Sequence, residues 1–277
     1  MMPGVFNALA AKMAEELGFQ ALYLSGAALS ASVGLPDVGL LTQTEFTDLA
    51  RFVTQATDLP ILCDADTGFG EALNIERTVR QYEAAGLAGL HLEDQEFPKR
   101  CGHLSGKTLV SLDAMLAKVR AAVAARRDPD FVIVARTDAR GVTDLNDAVN
   151  RALAYRAAGA DVIFVEALKS AEEFGEFARR VPGPLLANMT EFGTSPNLDF
   201  ATLVGLGYRL VIYPVTLFRV AMGATRLALR TLKADGHQRH LLPQMLTRQE
   251  LYDLLGYTGY EQRDRAYFGG TSSKESL

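Results

Sequence analysis

Two carboxylates two residues apart, Asp64 and Asp66, close the apolar run Pro60 to Asp66, and a glycine-rich stretch with Gly68 and Gly70 follows at once. Side chains at that spacing on a strand share one side of it, so the pair would repel unless a cation lay between them. A hard oxygen site of this kind suits Mg2+, or Mn2+, with several waters retained. The plain alternative is a pair of solvated turn residues. Glu93 and Asp94, at the end of another apolar run, favour the metal. His91, two before Glu93, shares its side of the strand, but a lone histidine is more often structural.

Cys101 stands in the string Lys99-Arg100-Cys101-Gly102-His103. Two cations and an imidazole favour a thiolate and tune the group as an acid or base, while Pro98 and Gly102 fit a loop that folds over a ligand. The other cysteine, Cys63, alternates with the aspartates and is expected to face the opposite way as a small hydrophobe. Arg136 offers a planar fork for a carboxylate, and Arg100 a second one. Ser25, Asn188 and Thr190 could complete the hydrogen bonding. With no P-loop or dinucleotide fingerprint in the chain, the ligand these groups fit is a small, multiply charged acid. Arg126 and Arg127 read as a solvated helix end, and Phe174 with Phe177 as a core-facing helical pair.

These residues need a scaffold that brings them together. Short β-branched runs alternate with amphipathic helical stretches, the pattern of a parallel sheet with crossover helices. Candidate strands fall at the opening residues through Gly4, at 21–26, 60–66, 89–94, 131–138, 161–167, 184–190 and 209–214. An Ala-rich helix capped by Asn7 should span about 7–17. The "AAG" strings ending at Gly86 and Gly159 mark helix ends where glycine supplies a left-handed turn. Eight repeats close a (β/α)8 barrel, and 277 residues suit one, since such barrels run to about 250. An open doubly wound sheet would carry a phosphate-binding glycine fingerprint after its first strand, and none follows Gly4. Ser25, Asp64, Asp66, Glu93, Asp94, Arg136, Glu166, Asn188 and Thr190 all lie at the C-terminal ends of these strands, which converge on one face of such a barrel.

The composition agrees with a single large enzyme domain over 1–277. Apolar residues make up 48% and charged residues 22%, enough for a sizeable core. A net charge of −5 argues against a nucleic-acid-binding surface. The uncharged run Leu17 to Pro36 contains Gln20 with several serines and glycines, and reads as barrel core plus loop instead of a membrane span. No basic stretch leading into an apolar one opens the chain, so the cytoplasm is the expected location. The segment 215–277 exceeds one closing helix, and Leu241, Leu242, Leu251, Leu254 and Leu255 need a surface to bury against.

The strings YLSG, DADTGFG, GLHLEDQ, KRCGH, FVIVARTDA, NMTEFG and LVIYP, in this order, resemble the isocitrate lyase/phosphoenolpyruvate mutase superfamily from about Pro3 to Phe268. KRCGH is the most discriminating, because the superfamily's mutases and decarboxylases lack that cysteine. The resemblance implies a Mg2+-dependent retro-Claisen cleavage of 2-methylisocitrate to pyruvate and succinate, a step of propionate breakdown through the methylcitrate cycle. Related branches act on isocitrate, 2,3-dimethylmalate, oxaloacetate or phosphonates. It further implies that Asp64 and Asp66, with Glu93, hold the metal largely through water. Ser25, Gly26 and Ala27 would contact the pyruvate-forming part, although the family often has glycine at position 27. Arg136 would stabilise the alkoxide and enolate; Arg100, Gly102, His103, Glu166, Asn188 and Thr190 would bind substrate. Cys101 would protonate the carbanion that becomes succinate, with Tyr23 as the base. Helix swapping by the C-terminal segment into a homotetramer is likewise implied. A borrowed barrel that only binds small acids is the non-enzyme alternative.

Overall fold

The computed structural model describes residues 1–102 and 106–269. Eight strands run β1 Met2–Val5, β2 Leu22–Leu24, β3 Ile61–Asp64, β4 Gly89–Glu93, β5 Val132–Thr137, β6 Val162–Val165, β7 Leu185–Asn188 and β8 Leu210–Tyr213. All neighbours pair in parallel, and β1 pairs with β8 to close the barrel. This is the (β/α)8 architecture that the strand count implied. Whereas β1 runs one residue past Gly4, each strand from β2 onward is shorter than its apolar run, because the end residues leave the ladder and turn towards the loops. Asp66 and Ala167 do so with left-handed backbones, φ 45° and 63°.

The helices are α1 Ala8–Glu16, α2 Gly26–Ser32, α3 Gln43–Thr54, α4 Ala72–Ala84, α5 Leu112–Ala125, α6 Ala139–Val142, α7 Leu145–Ala157, α8 Ala171–Arg180, α9 Phe200–Gly205, α10 Thr216–Asp235, α11 Arg248–Leu255 and α12 Tyr257–Tyr267. Asn7 caps α1 by accepting from Ala10 N at 2.8 Å, as expected. Gly86 and Gly159 take the expected left-handed turns at φ 85° and 106°. The short α2 was not anticipated within the stretch read as core and loop; Ser25, at the end of β2, stands at its N-terminus.

Strand alternation sorts the side chains into two layers. Tyr23, Leu62, Val134, Phe164, Leu186 and Ile212 fill the barrel interior. Their neighbours Leu22, Leu24, Cys63, Ile163 and Val165 pack outward with helical residues such as Phe46, Ile75, Tyr82 and Phe177. Cys63 therefore faces the helices, as a residue adjacent to inward-pointing Leu62 and Asp64 must. Phe174 and Phe177 are buried as expected. Arg126 departs from the solvated reading: it is half-buried, and its Nη1 donates to Phe131 O at 3.0 Å and Asp161 Oδ2 at 2.6 Å, joining the end of α5 to the start of β6.

The chain divides into two compact units, Met1–Val220 and Ala221–Leu277. The barrel is the first. In the second, α11 has a capping box from Thr247 and Glu250 and ends at left-handed Gly256, after which α12 starts; Tyr252 and Tyr257 stack at 4.6 Å. Leu241 is buried, whereas Leu242 and Leu255 remain exposed. Among the described residues no helix is long and apolar enough to cross a membrane.

Candidate active site

The C-terminal ends of β2 to β8 enclose one small cavity, lined by Tyr23, Ser25, Ala27, Asp64, Arg136, Phe164, Glu166, Asn188, Thr190 and Ile212 together with Lys99 to Gly102. Residues scattered over 190 positions thus meet because parallel strands all point their ends to one face. Of the other candidates, Gly26, Asp66 and Glu93 sit immediately beside it, and His103 lies outside the described residues. A larger cavity, about 780 Å³, opens between Gly39–Thr44 and the turn after β3, and Asp66 and Gln95 stand in its lining.

Asp64 ends β3, and Asp66 follows it off the strand, so simple alternation does not place the pair. The left-handed turn at Asp66 does, with its N–H donating to Asp64 Oδ1 at 2.9 Å. Asp64 Oδ2 also accepts from Gly26 N at 3.1 Å. A Cβ at Gly26 would fall 2.8 Å from Asp64 Oδ2, so only glycine lets the start of α2 sit this close. Burial acts to raise both carboxyls. The His91, Lys99 and Arg136 charges, in that order, reverse this for Asp64, which stays below the ordinary carboxylate range; burial in turn lowers the His91 pKa. For Asp66 burial dominates, with the Asp64 charge behind it, and its pKa is pushed up to about 7.

Lys99 is buried between acids, with Nζ 2.8 Å from Asp66 Oδ1 and also paired to Asp37. Burial alone would lower its pKa, but Asp66, Glu93 and Asp37 hold it well above the usual lysine value. Arg136 lies among three carboxylates: Nε donates to Asp138 Oδ2 at 2.9 Å, Nη1 is 3.2 Å from Glu93 Oε2, and Nη2 is 3.4 Å from Glu166 Oε2. Its guanidinium rests 5.0 Å over the Phe164 ring. Gly102 is seated directly on this group, since a Cβ there would come within 2.3 Å of Arg136 Nη2 and 2.6 Å of Glu166 Cγ. Half-buried Cys101 lines the same cavity as the arginine.

Three buried side chains that the strand-end reading did not single out shape the site. Asp138, one residue past β5, fixes the Arg136 fork. Gln95 holds Arg100 on both sides, accepting from its N–H and donating to its carbonyl, each at 2.9 Å. Lys107 bonds Asp138 and the Gly102 carbonyl. Asp138 stood in plain view in the RTD string and Gln95 at the end of GLHLEDQ, though neither was given a role; nothing local in the sequence marked Lys107.

The donor set fits a hard cation. Among the described residues no three His, Cys, Asp or Glu side chains group closely enough to wrap a metal by themselves. Glu93 Oε1, however, is a buried oxygen without a hydrogen bond, and Asp66 Oδ1, beside Asp64, is a buried oxygen met by the Lys99 ammonium. Carboxylates that reach a cation through its retained waters satisfy both facts. Tyr23 OH meets His91 Nε2 at 2.7 Å, and burial, followed by the Asp64 charge, pushes the phenol well above its usual range. Tyr23 is thus a neutral phenol hydrogen-bonded to a neutral imidazole.

Known proteins match this geometry. The family model for phosphoenolpyruvate phosphomutase matches residues 1–233. A 2-methylisocitrate lyase from Aeropyrum pernix is 53% identical over 262 residues, 95% of this chain and 84% of that one. The crystal structure of a 2,3-dimethylmalate lyase, described as a member of the PEP mutase/isocitrate lyase superfamily, superposes with TM-score 0.90 at 37% identity, covering all of this chain and 92% of its own. A phosphonopyruvate hydrolase solved with oxalate and Mg2+ superposes with TM-score 0.85 at 34% identity, over 96% of this chain and 91% of that one. With its barrel, its strand-end carboxylates and these relatives all in agreement, the chain belongs to the phosphoenolpyruvate mutase/isocitrate lyase family and is a carbon–carbon lyase within it.

Proposed function

We propose that this lyase cleaves 2-methylisocitrate to pyruvate and succinate with a bound divalent metal, Mg2+ in the first instance, in the cytoplasm and within the methylcitrate cycle of propionate breakdown. The observation that carries the reading is the seating of Cys101 and Gly102 against Arg136 and Glu166 in the cavity that also contains Asp64. Asp64 and Asp66, with Glu93, hold the metal largely through water, and the metal supplies positive charge to the oxygens of the pyruvate-forming part. Ser25, Gly26 and Ala27 border the same part.

The residues then divide the reaction between them. Tyr23 accepts the C2 hydroxyl proton while its own proton passes to His91 Nε2, a relay that a 2.7 Å contact permits and that spares a free phenolate. As the bond between C2 and C3 breaks, C2 becomes the carbonyl of pyruvate and the electron pair stays on C3. Arg136 stabilises the charge that develops on oxygen, already oriented by Asp138. The Cys101 thiol delivers the proton to C3, giving succinate. Arg100, Gly102, His103, Glu166, Asn188 and Thr190 serve the substrate carboxylates; Asn188 Nδ2 donates to Glu166 Oε2 at 3.1 Å, and its Oδ1 has no hydrogen bond.

Phe164 and Ile212, both buried in the barrel interior and lining the cavity, offer an apolar niche for the extra methyl of 2-methylisocitrate. One methyl discriminates by only about 1–3 kcal/mol, so 2,3-dimethylmalate and isocitrate are the direct comparisons. Pyruvate release, followed through a coupled dehydrogenase with Mg2+ and then EDTA on all three acids in parallel, tests the reading. Metal-dependent pyruvate from 2-methylisocitrate in large excess over the other acids is the expected result. Turnover of dimethylmalate, or glyoxylate from isocitrate, moves the substrate; absence of cleavage from all three removes the reading.

A further inference from the structure

We propose that Lys107 is a positioning residue that sets Cys101 against Arg136, by joining the backbone beside the cysteine to the carboxylate that orients the arginine. The inference rests on the lyase reading only for its meaning in catalysis; the contacts themselves are structural. Lys107 is buried, and its ammonium makes two bonds, to Asp138 Oδ1 at 2.6 Å and to the carbonyl oxygen of Gly102, the residue after Cys101. Asp138 is itself buried and shares its two oxygens with Arg136, from Nε at 2.9 Å and Nη2 at 3.2 Å. One carboxylate therefore fixes both the arginine fork and the ammonium that holds the cysteine's neighbour.

The arrangement is anchored at each end. Asp138 N donates to Asp94 Oδ1 at 2.9 Å, and Asp94 is held in turn by Thr137 and Tyr155 hydroxyls, each at 2.7 Å. The backbone after Lys107 is held by an antiparallel bridge between Leu109 and Gln95, with Glu96 N donating to Thr108 O at 2.9 Å. Gly141 leaves just enough room for the ammonium, since a Cβ there would stand 3.1 Å from Lys107 Nζ. A flexible four-carbon side chain is costly to order, and burying its charge costs more unless its partners are fixed. Here both partners bear on the two groups that must face each other across the reacting bond: one is the residue beside Cys101, the other is the carboxylate that grips Arg136.

A buried lysine that only stabilised the fold would affect unfolding and leave the setting of Cys101 unchanged. Removing Lys107 from this arrangement should instead free Cys101 while the barrel stays intact. The test is alkylation of Cys101 by iodoacetamide in the full-length protein without substrate, with Cys101→Ser as the blank and peptide mapping to exclude the fully buried Cys63. Rates are taken at the alkaline plateau, about pH 9.5, where the thiol is ionised and access alone is read. For Lys107→Met the plateau rate should rise at least about fivefold over wild type, as for a locally released segment, with the thermal midpoint within a few degrees. Lys107→Arg, which keeps the charge, should stay near wild type. Where methionine is not tolerated, Lys107→Gln gives the same reading.

Kinetics on the cleaved acid supply the second readout: kcat should fall by about tenfold or more while KM changes far less, the pattern for a group misplaced in the transition state. An unchanged alkylation rate in a folded Lys107 variant overturns the proposal whether or not the protein cleaves 2-methylisocitrate. If wild type cleaves none of the acids yet the alkylation rate rises as stated, the positioning role stands and the lyase substrate fails.

Discussion

Arg136 shows how far a single residue type can be read before the fold is known. Its guanidinium was legible as an anion-binding fork, but three buried carboxylates and the Phe164 face fix the direction in which that fork points. Replacing it by lysine, Arg136→Lys, keeps one charge and loses the bidentate geometry that Asp138 holds; kcat for pyruvate release should fall by about 10²-fold or more. Cys101→Ser leaves the cavity intact and removes the thiol acid, so turnover should drop by about 10²–10⁴-fold while metal-dependent binding of the product acids, read by calorimetry, persists. Asp66 makes a pH prediction. Its carboxyl titrates near 7 because burial, then the Asp64 charge, outweighs Lys99. A cation must displace that proton, so Mg2+ affinity should weaken as pH falls through 7 and flatten above it. Calorimetry in buffers of differing ionisation heat should find roughly one proton released per metal at about pH 6 and close to none at about pH 8. Equal release at both would place the cation elsewhere.

At the scale of elements, the strand ends and the turns behind them do the positioning. Alternation along β3 put Leu62 inside and Cys63 outside as the sequence required, yet Asp66 reaches the site only because its backbone turns left-handed just beyond Asp64. The barrel seam depends on a glycine as well. A Cβ on Gly4 would fall 2.1 Å from the carbonyl oxygen of Pro214, where β1 lies against the end of β8. Backbone cannot give way as a flexible side chain can, so Gly4→Ala should cost about 3 kcal/mol in denaturant unfolding, more than a typical overpacked core site. Gly102→Ala makes the complementary case: its Cβ would press on Arg136 and Glu166, so turnover should fall sharply with little change in the unfolding midpoint.

For the whole molecule, the second unit carries exposed apolar side chains along α10, among them Leu227, Leu229 and Leu232. Surface of that kind usually belongs to an interface. The homotetramer that the family resemblance implies is tested by light scattering: the mass should come out near four times 30.0 kDa, and Leu229→Asp should lower it. A monomer at micromolar concentration would remove the assembly from the reading.

The sequence by itself determined the eightfold repeat, the caps at Asn7, Gly86 and Gly159, and the strand-end polar residues, of which Ser25, Asp64, Arg136, Glu166, Asn188 and Thr190 line one cavity. These are local matters: periodicity, left-handed turns and apolar runs are written in neighbouring residues, and parallel strands necessarily present their ends to one face. The tertiary structure decided the partnerships. That Lys107 bonds the Gly102 carbonyl, that Asp138 serves both Lys107 and Arg136, that Lys99 lies between Asp37 and Asp66, and that Tyr23 faces His91 are contacts between residues up to 68 positions apart. Charge and hydrogen-bonding capacity can be read from a residue, but the groups that satisfy them in a buried site are chosen by distance and desolvation, which exist only once the chain has folded.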